Sequence, residues 1–289
     1  MPAGPVEGAF RVVARHRFLP GLDLDRVYDA EAAIPTKREP DGEITSSSSA
    51  PAIMGLMLGD LAVEPSHRVL EIGAGTGYNA ALLATLAGPT GAVTSIDLAP
   101  DVAAGAAANL VANGFAGVVV RAGDGWLGAA DRAPFDRIIV TVGVPDLSPA
   151  WVAQLAPGGR LVVPLSLAAG VEAAVAFVRD GVRLRSLHLN PCGFMRLRGS
   201  HADPGWSGQD DGRAAFGRLG ARRASGARGG RAAVATEAGA ARAGTDEVTV
   251  SIGQLEVEAV PTAEFGSGPV GESDWVVARP SFTFLVRRR

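Results

Sequence analysis

Short apolar runs alternate with longer amphipathic segments through the middle of the chain. The runs have strand length and predict five strands, at residues 68–72, 92–97, 117–121, 136–142 and 159–165. The segments between them have apolar positions at helical spacing and predict helices at residues 77–87, 100–113 and 147–156. Strands that alternate with helices of this length predict an α/β fold with a doubly wound parallel sheet.

Other patterns lie on either side of this region. Residues 5–15 and 51–62 have the apolar spacing of short helices, and the polar stretch 21–48 predicts an ordered loop or lid. Two apolar runs, 172–179 and 182–189, flank an Asp-Gly pair, which is a hairpin signal. We therefore expect an antiparallel hairpin at the end of the parallel sheet.

The character of the chain changes after residue 203. Of the 33 residues at 212–244, 27 are Gly, Ala or Arg, which predicts a low-complexity linker. Residues beyond it alternate apolar and polar positions and predict either a small β appendage or a β-cap on the main sheet. The expected organisation has four parts: an N-terminal segment and lid (1–66), a ligand-binding core (67–202), a linker (203–246) and a β-rich extension (247–289).

Composition narrows the function further. Hydrophobic residues make up 47% of the chain, enough for a sizeable core, and the net charge of −3 argues against nucleic-acid binding. Cys192 is the single cysteine, residues 1–20 lack a signal-peptide pattern, and no apolar run has membrane-spanning length. The four histidines have no metal-ligand spacing with cysteine or acidic residues. We expect a cytoplasmic protein that uses no metal and has no membrane or nucleic-acid partner.

A glycine-rich loop follows the first predicted strand. Residues 69–78 read Val-Leu-Glu-Ile-Gly-Ala-Gly-Thr-Gly-Tyr, with Glu71 inside the apolar run. Glycines at 73, 75 and 77 allow a tight turn and a close ligand, and a helix N-terminus offers free N–H groups. The third glycine comes one residue too early for a dinucleotide motif, so the loop favours a nucleoside joined to an amino acid.

Two acidic residues follow later strands at the same predicted edge of the sheet. Asp97 ends the second strand, where a carboxylate can accept hydrogen bonds from both hydroxyls of a ribose. Asp124 lies in Ala-Gly-Asp-Gly-Trp after the third strand. The alternatives are a helix N-cap for Asp97 and an ordinary Asp-Gly turn for Asp124.

Taken together, these residues resemble a class I methyltransferase, a Rossmann-like fold that binds S-adenosylmethionine. The resemblance implies that Asp124 pairs with the adenine amine and that the ligand lies across the strand ends. The cofactor-binding residues implied in this way are Glu71, Gly73, Gly75, Gly77, Tyr78, Asn79, Asp97, Leu98, Asp124, Gly125 and Thr141.

Further motifs resemble the protein-L-isoaspartate O-methyltransferase family over residues 9–198. They are residues 15–20 (Arg-His-Arg-Phe-Leu-Pro, with Tyr28 beyond), 77–81 (Gly-Tyr-Asn-Ala-Ala), 123–125 (Gly-Asp-Gly), 134–141 (Pro-Phe-Asp-Arg-Ile-Ile-Val-Thr), 154–155 (Gln-Leu) and 158–164 (Gly-Gly-Arg-Leu-Val-Val-Pro).

The chain departs from that family before the helix at 51–62. The family has Thr-Ile-Ser there, whereas residues 47–49 are all serine, so that Ser49 takes the position of the family's serine beside the transferred methyl. The alternative for Ser49 is a helix N-cap ahead of Ala-Pro. The serine run, Asn79 and the C-terminal extension are more similar to a branch associated with ribosomal peptide natural products, namely lanthipeptides and ATP-grasp-made cyclic peptides.

The resemblance implies a carboxyl O-methyltransferase with Ser49 as its catalytic residue. Ser47, Ser48, His16, Arg15 and Arg196 are the candidate substrate contacts. Our first hypothesis is methylation of an aspartate in a precursor peptide, which leads to a succinimide. General isoaspartyl repair and a non-catalytic scaffold that binds the cofactor are the alternatives.

Overall fold

A ten-stranded sheet organises the chain. The computed structural model describes residues 4–168, 171–202, 232–233, 249–250, 255–264, 275–278 and 281–288. Its strands are β3 (Arg68–Ile72), β4 (Ala92–Asp97), β5 (Val119–Ala122), β6 (Phe135–Val140), β7 (Leu155–Ala168), β8 (Val171–Asp180), β9 (Arg183–Pro191), β12 (Leu255–Pro261), β13 (Trp275–Ala278) and β14 (Phe282–Arg288). They lie in the order β13-β14-β12-β9-β8-β7-β6-β3-β4-β5, and the five strands from β7 to β5 are parallel.

Helices cover both faces of the parallel part. They are α1 (Pro5–Val12), α2 (Leu24–Val27), α3 (Pro51–Leu61), α4 (Tyr78–Ala87), α5 (Pro100–Ala112) and α6 (Pro149–Gln154). Four of these helices, α1, α3, α5 and α6, begin with proline. Proline suits that position because its fixed φ is already helical and its missing N–H would have no partner there.

The stretch 21–48 is more regular than the loop we predicted. It holds α2 and an antiparallel pair of strands, β1 (Ile34–Arg38) and β2 (Ile44–Ser48), which form a sheet of their own. The hydrophobic pattern does not predict these strands because they are short and polar. Two register irregularities also interrupt their pairing.

The sheet separates two apolar cores. Val69 packs with residues of α1, α3 and α4, whereas its neighbour Leu70 packs with Trp151 of α6 on the other face. Successive side chains of a strand point to opposite faces, so burial on both sides explains why the central strands are continuously apolar.

The C-terminal strands extend the main sheet beyond the predicted hairpin. The hairpin is β8 and β9, and β12 then pairs antiparallel with β9, and β14 with β12. Four apolar side chains of these strands are at most 3% exposed and belong to the same core as Trp151: Val257, Ala259, Phe282 and Phe284.

Most of the predicted linker lies outside the described residues. Within it the structure describes β10 (Ala232–Ala233), which pairs with β11 (Thr249–Val250). None of the helices in the described part of the chain has the length and apolarity needed to cross a membrane.

Phe284→Ala tests whether the C-terminal strands belong to the fold. Phe284 is 2% exposed, so its truncation leaves a cavity in the shared core. We expect the free energy of unfolding to fall by about 3–5 kcal/mol in urea titrations. Val182→Ala, at a half-exposed turn position, is the control and should cost less than about 1 kcal/mol. A loss no larger for Phe284→Ala than for the control would contradict the shared core.

Candidate cofactor and substrate site

The candidate site lies at the carboxyl ends of the parallel strands β3, β4, β5 and β6. The glycine loop, Asp97, Asp124 and Thr141 all follow the ends of these strands. The β1–β2 hairpin lies against this edge, because a Cβ on Gly75 would come within 3.2 Å of the Ser47 carbonyl oxygen. Open α/β sheets bind their ligands at this edge.

The glycine loop needs its glycines for both conformation and space. Gly73, Gly75 and Gly77 have φ values of +100°, +52° and +85°. A Cβ on Gly73 would collide with the Thr141 hydroxyl, which lies 2.9 Å from the carbonyl oxygens of Ile72 and Gly73 and donates to this pair. A Cβ on Gly77 would come within 3.0 Å of the backbone of α5. The loop therefore forms a tight backbone cradle that any larger residue would disturb.

Glu71 lies behind this cradle rather than inside it. Its carboxyl group is fully buried and accepts hydrogen bonds from Asn79 Nδ2 at 2.8 Å and Ser95 Oγ at 2.5 Å. Burial raises the pKa of Glu71 to about 7, although the bonds from Ser95 and Asn79 lower it. Glu71 and Asn79 are thus bonded to each other and fix the start of α4, while their contacts with a cofactor stay a prediction.

Asp97 joins the end of β4 to the glycine loop. Its two carboxylate oxygens accept hydrogen bonds from the Gly75 and Ala99 N–H groups, each at 3.1 Å. Asp97 is not the N-cap of α5, because Ala99 holds that position. Each oxygen keeps a second lone pair, which leaves acceptors for two ribose hydroxyls. Leu98, the next residue, is 36% exposed at the same edge.

Asp124 is held by its own loop and by the segment after β9. Its carboxylate accepts hydrogen bonds from Trp126 N at 2.9 Å and Ser200 Oγ at 2.5 Å. Burial raises the pKa of Asp124, but the hydrogen bonds from Ser200 and Trp126 and the nearby His201 outweigh it, so that the net shift is downward. The Asp-Gly turn is therefore real, since Asp124 caps a short 3₁₀ turn, and it also keeps an ionised acceptor at the strand ends.

Gly125 brings the Asp124 loop against β3. A Cβ at this position would come within 2.5 Å of the Ile72 side chain. The Gly-Asp-Gly motif thus allows the Asp124 loop to lie directly against the carboxyl end of β3, where a ligand would bind.

Ser49 is half-buried between β2 and α3. The N-cap of α3 is Ala50 and no side chain caps the helix, so the alternative reading of Ser49 as an N-cap is wrong. The Ser49 carbonyl oxygen accepts a hydrogen bond from Arg15 Nη1 at 3.0 Å. The serine backbone is thereby fixed while its hydroxyl is not used for capping.

Arg15, which we predicted as a substrate contact, is an interior residue. It is 1% exposed, and its guanidinium carbon lies 5.3 Å from the centre of the Tyr78 ring. Burial lowers the pKa of Arg15. Tyr78 is itself 2% exposed and its ring packs on Phe18 of the N-terminal segment, while its contact with a cofactor stays a prediction. Burial raises the pKa of Tyr78 to about 12.

The remaining predicted substrate residues are spread around this point. Ser48 is buried opposite Ile34 in the hairpin, whereas Ser47 is half-buried. His16 is exposed, and its Nδ1 lies 2.8 Å from the Tyr28 hydroxyl oxygen. Arg196 is half-buried and interacts electrostatically with Glu172.

The sequence did not reveal several contacts around the site that join segments far apart along the chain. The His201 ring stacks on Trp126 with centroids 4.8 Å apart and an interplanar angle of 10°. Arg198 Nη2 donates to the Thr45 carbonyl oxygen at 2.9 Å, and Lys37 Nζ lies 2.8 Å from Asp101 Oδ2. These contacts link positions 64 to 153 residues apart in pairs that no local pattern reveals.

Among the residues that the structure describes, no three His, Cys, Asp or Glu side chains are grouped so that they could hold a metal ion. The donor set of the site is instead backbone N–H groups, two carboxylates and a hydroxyl.

Comparison with known proteins places this geometry in context. Residues 3–199 match the family model described as "Protein-L-isoaspartate(D-aspartate) O-methyltransferase (PCMT)". The chain is similar to the protein-L-isoaspartate O-methyltransferase of Methanopyrus kandleri, with 35% identity over 195 residues that cover 67% of this chain and 83% of the relative.

Solved structures agree with the sequence comparison. One protein-L-isoaspartate O-methyltransferase has a TM-score of 0.64 and 30% identity, and the match covers 69% of this chain and 63% of the other. A candidate enzyme of this kind from Plasmodium falciparum, solved with S-adenosyl-L-homocysteine, has a TM-score of 0.59 at 16% identity, over 68% of this chain and 92% of the other. The predicted class I methyltransferase fold with an antiparallel terminal hairpin is confirmed.

Glu71→Gln tests the buried carboxyl group behind the loop. The pKa of Glu71 is raised from its ordinary value of 4.5 to about 7 in the folded chain, so its stabilising contribution is full below 4.5 and is lost as the pH rises to about 7. We expect the free energy of unfolding of the wild type, relative to the glutamine variant, to fall across this window by at most about 1.4 kcal/mol per pH unit.

The measurement is urea unfolding at a series of pH values. Glu43→Gln removes the same charge at an exposed position and should leave the wild-type pH dependence in place. A wild type and a Glu71→Gln variant with parallel pH profiles would contradict the raised pKa.

Proposed function

Because the chain belongs to the protein-L-isoaspartate(D-aspartate) O-methyltransferase family, we propose that it methylates the free carboxyl group of an isoaspartyl residue in peptides. The enzyme is an S-adenosylmethionine-dependent carboxyl O-methyltransferase. The observation that carries the proposal is that the glycine cradle, Asp97 and Asp124 meet at one sheet edge, against which the serine run lies through the Ser47 carbonyl oxygen.

The site fits S-adenosylmethionine on chemical grounds. The cradle that a Cβ at Gly73, Gly75 or Gly77 would disturb leaves backbone room for the methionine end of the cofactor. Asp97 would accept from the ribose hydroxyls, and Asp124 from the adenine amine. The two carboxylates also suit the cofactor's charge, because its sulfonium is positive.

The chemistry asks little of the protein's acids and bases. When bound, S-adenosylmethionine supplies an electrophilic methyl group on its sulfonium sulfur. A peptide carboxyl group has a pKa of about 3–4 and is ionised at neutral pH, so its oxygen attacks without a general base. The chain must therefore align the carboxylate and keep water away.

Ser49 is the group best placed to align the carboxylate. Its hydroxyl would donate a hydrogen bond to one carboxylate oxygen, and the other oxygen would then be free to react. Arg15 keeps the Ser49 backbone in position through the carbonyl oxygen. The β1–β2 hairpin lies over the glycine loop and is tied to Arg198, which limits access of water to the reacting atoms.

A pair of synthetic peptides tests the proposal. The two peptides differ only in whether one residue is isoaspartyl or aspartyl, and transfer of labelled methyl from S-adenosylmethionine is measured for each. We expect kcat/KM to be at least about 100-fold higher for the isoaspartyl peptide. Asp97→Ala is the control that should lose cofactor binding in calorimetry and hence both activities. Equal rates with both peptides, or wild-type binding by Asp97→Ala, would contradict the proposal.

Ser49→Ala tests the alignment step. Loss of one hydrogen bond to a charged group costs about 1.5–3 kcal/mol, so kcat should fall about 10- to 100-fold. The dissociation constant of S-adenosylmethionine should stay within twofold. Thr85→Ala removes a hydroxyl that bonds within α4 and should keep full activity. Unchanged turnover in Ser49→Ala would show that the hydroxyl takes no part.

A second candidate substrate is an ordinary aspartate in a ribosomally made precursor peptide. The serine run at 47–49 favours it, because it replaces the family's Thr-Ile-Ser beside the reacting position. Intact mass would distinguish this substrate: a gain of about 14 Da on a modified precursor, followed by loss of methanol, marks an ester that closes to a succinimide. The family relationship supports the isoaspartyl substrate over this one.

A further inference from the structure

The C-terminal extension reaches the site through one buried carboxylate. Asp146 lies in the loop between β6 and α6 and is 5% exposed. Its Oδ2 accepts a hydrogen bond from the Ser281 N–H at 2.7 Å, and its Oδ1 accepts one from the Leu147 N–H at 2.8 Å. Residue 281 lies well beyond residue 199, where the family match ends.

Residues that follow Asp146 donate hydrogen bonds to the Asp124 loop. Ser148 Oγ donates to the Trp126 carbonyl oxygen at 2.5 Å, and Trp151 Nε1 donates to the Gly125 carbonyl oxygen at 2.8 Å. The rings of Trp126 and Trp151 also pack at a centroid distance of 5.3 Å. The carbonyl groups of the two residues that follow Asp124 are thus bonded by residues close to Asp146 in sequence.

The same contacts set the direction of the Asp124 carboxylate. Trp126 N–H donates to one of its oxygens, so a shift of residues 125–126 would turn the carboxylate. Ser281 is therefore bonded to Asp146, the chain runs from Asp146 through Leu147 to Ser148, and Ser148 is bonded to Trp126, which is in turn bonded to Asp124.

Apolar packing runs along the same path. Val144 and Leu147, on either side of Asp146, are fully buried in the core that also holds Phe282 and Phe284 of β14. The extension is therefore packed against the loop as well as bonded to it.

We propose that Asp146 is a positioning residue through which the C-terminal extension holds the adenine-recognition loop in its binding-competent form. The role concerns the cofactor and not the peptide. The inference rests on the proposed placement of adenine at Asp124, but it is independent of which carboxyl group is methylated.

The test is calorimetric titration of the full-length Asp146→Ala protein with S-adenosyl-L-homocysteine. Removal of the carboxylate leaves the N–H groups of Ser281 and Leu147 without this acceptor and frees the loop. We expect the dissociation constant to rise about tenfold, which corresponds to about 1.4 kcal/mol. In turnover assays the KM for S-adenosylmethionine should rise in parallel, while kcat at saturation and the KM for peptide stay within twofold.

Hydrogen exchange provides a local readout that a general loss of stability would not reproduce. Amides of residues 125–127 should exchange faster in Asp146→Ala, while amides of β3 keep their protection. Val175→Ala is the matched control, since it weakens the same buried core from β8 and keeps the Asp146 carboxylate. It should lower stability and leave the affinity for S-adenosyl-L-homocysteine unchanged.

Two further variants keep the test decisive. Asp146→Asn retains one acceptor oxygen and should show a smaller change in the same direction, which preserves a measurement if the alanine variant does not fold. Asp124→Ala reports on the site itself: if it binds S-adenosyl-L-homocysteine normally, the adenine placement fails, whatever Asp146 does. A folded Asp146 variant with wild-type affinity, or a variant that behaves as Val175→Ala does, would overturn the positioning role.

Discussion

The buried carboxyl group of Glu71 is the contact around which the candidate site is built. It lies on β3 and accepts hydrogen bonds from Asn79 on α4 and Ser95 on β4, so one side chain joins three elements. An acid in a fully apolar setting would be costly, and these two donors reduce that cost. The glycine loop connects β3 to α4, and its three glycines adopt the positive φ values that the turn requires. Asp97 then needs only a short reach to bind the Gly75 N–H.

Local sequence patterns predict much of the fold but only part of the candidate site. The strands of the parallel sheet are buried on both faces, so their apolar runs are evident in the sequence. The glycine loop is evident too, because its three glycines have positive φ values that other residues rarely adopt. Arg15 shows where such reasoning ends. An arginine in the segment Arg-His-Arg is expected at the surface, yet Arg15 is buried because Ser49 and Tyr78, far along the chain, supply a carbonyl oxygen and an aromatic face. The β1–β2 hairpin escaped prediction for a similar reason, since Arg198 and Asp101 hold strands whose own pattern is polar.

The C-terminal strands show how a sheet can grow without a new core. β9 would be an edge strand if the sheet ended at the hairpin, and an edge presents unpaired backbone groups. β12 covers that edge and β14 pairs with β12, and both strands place apolar side chains in the core that already supports the Asp124 loop. The Ser186 hydroxyl accepts from the Val257 N–H where strand pairing is incomplete, so the junction is bonded as well as packed. Growth at one edge of the sheet is thus coupled to the loops at its carboxyl end.

Lys37 is the chain's one lysine, and its ammonium group bridges the β1–β2 hairpin to Asp101 at the start of α5. An ammonium differs from the guanidinium groups that carry almost all of the chain's positive charge, because it is a nucleophile when deprotonated. Any reagent that acylates amines therefore has two targets in this sequence, the amino terminus and the contact that ties the hairpin to the helix. Acylation of Lys37 during immobilisation or dye labelling would remove the charge that makes this contact, whereas attachment through the buried Cys192 would have to open the core. Because the chain has one lysine, amine labelling is also a selective chemical change of the contact that holds the β1–β2 hairpin to α5.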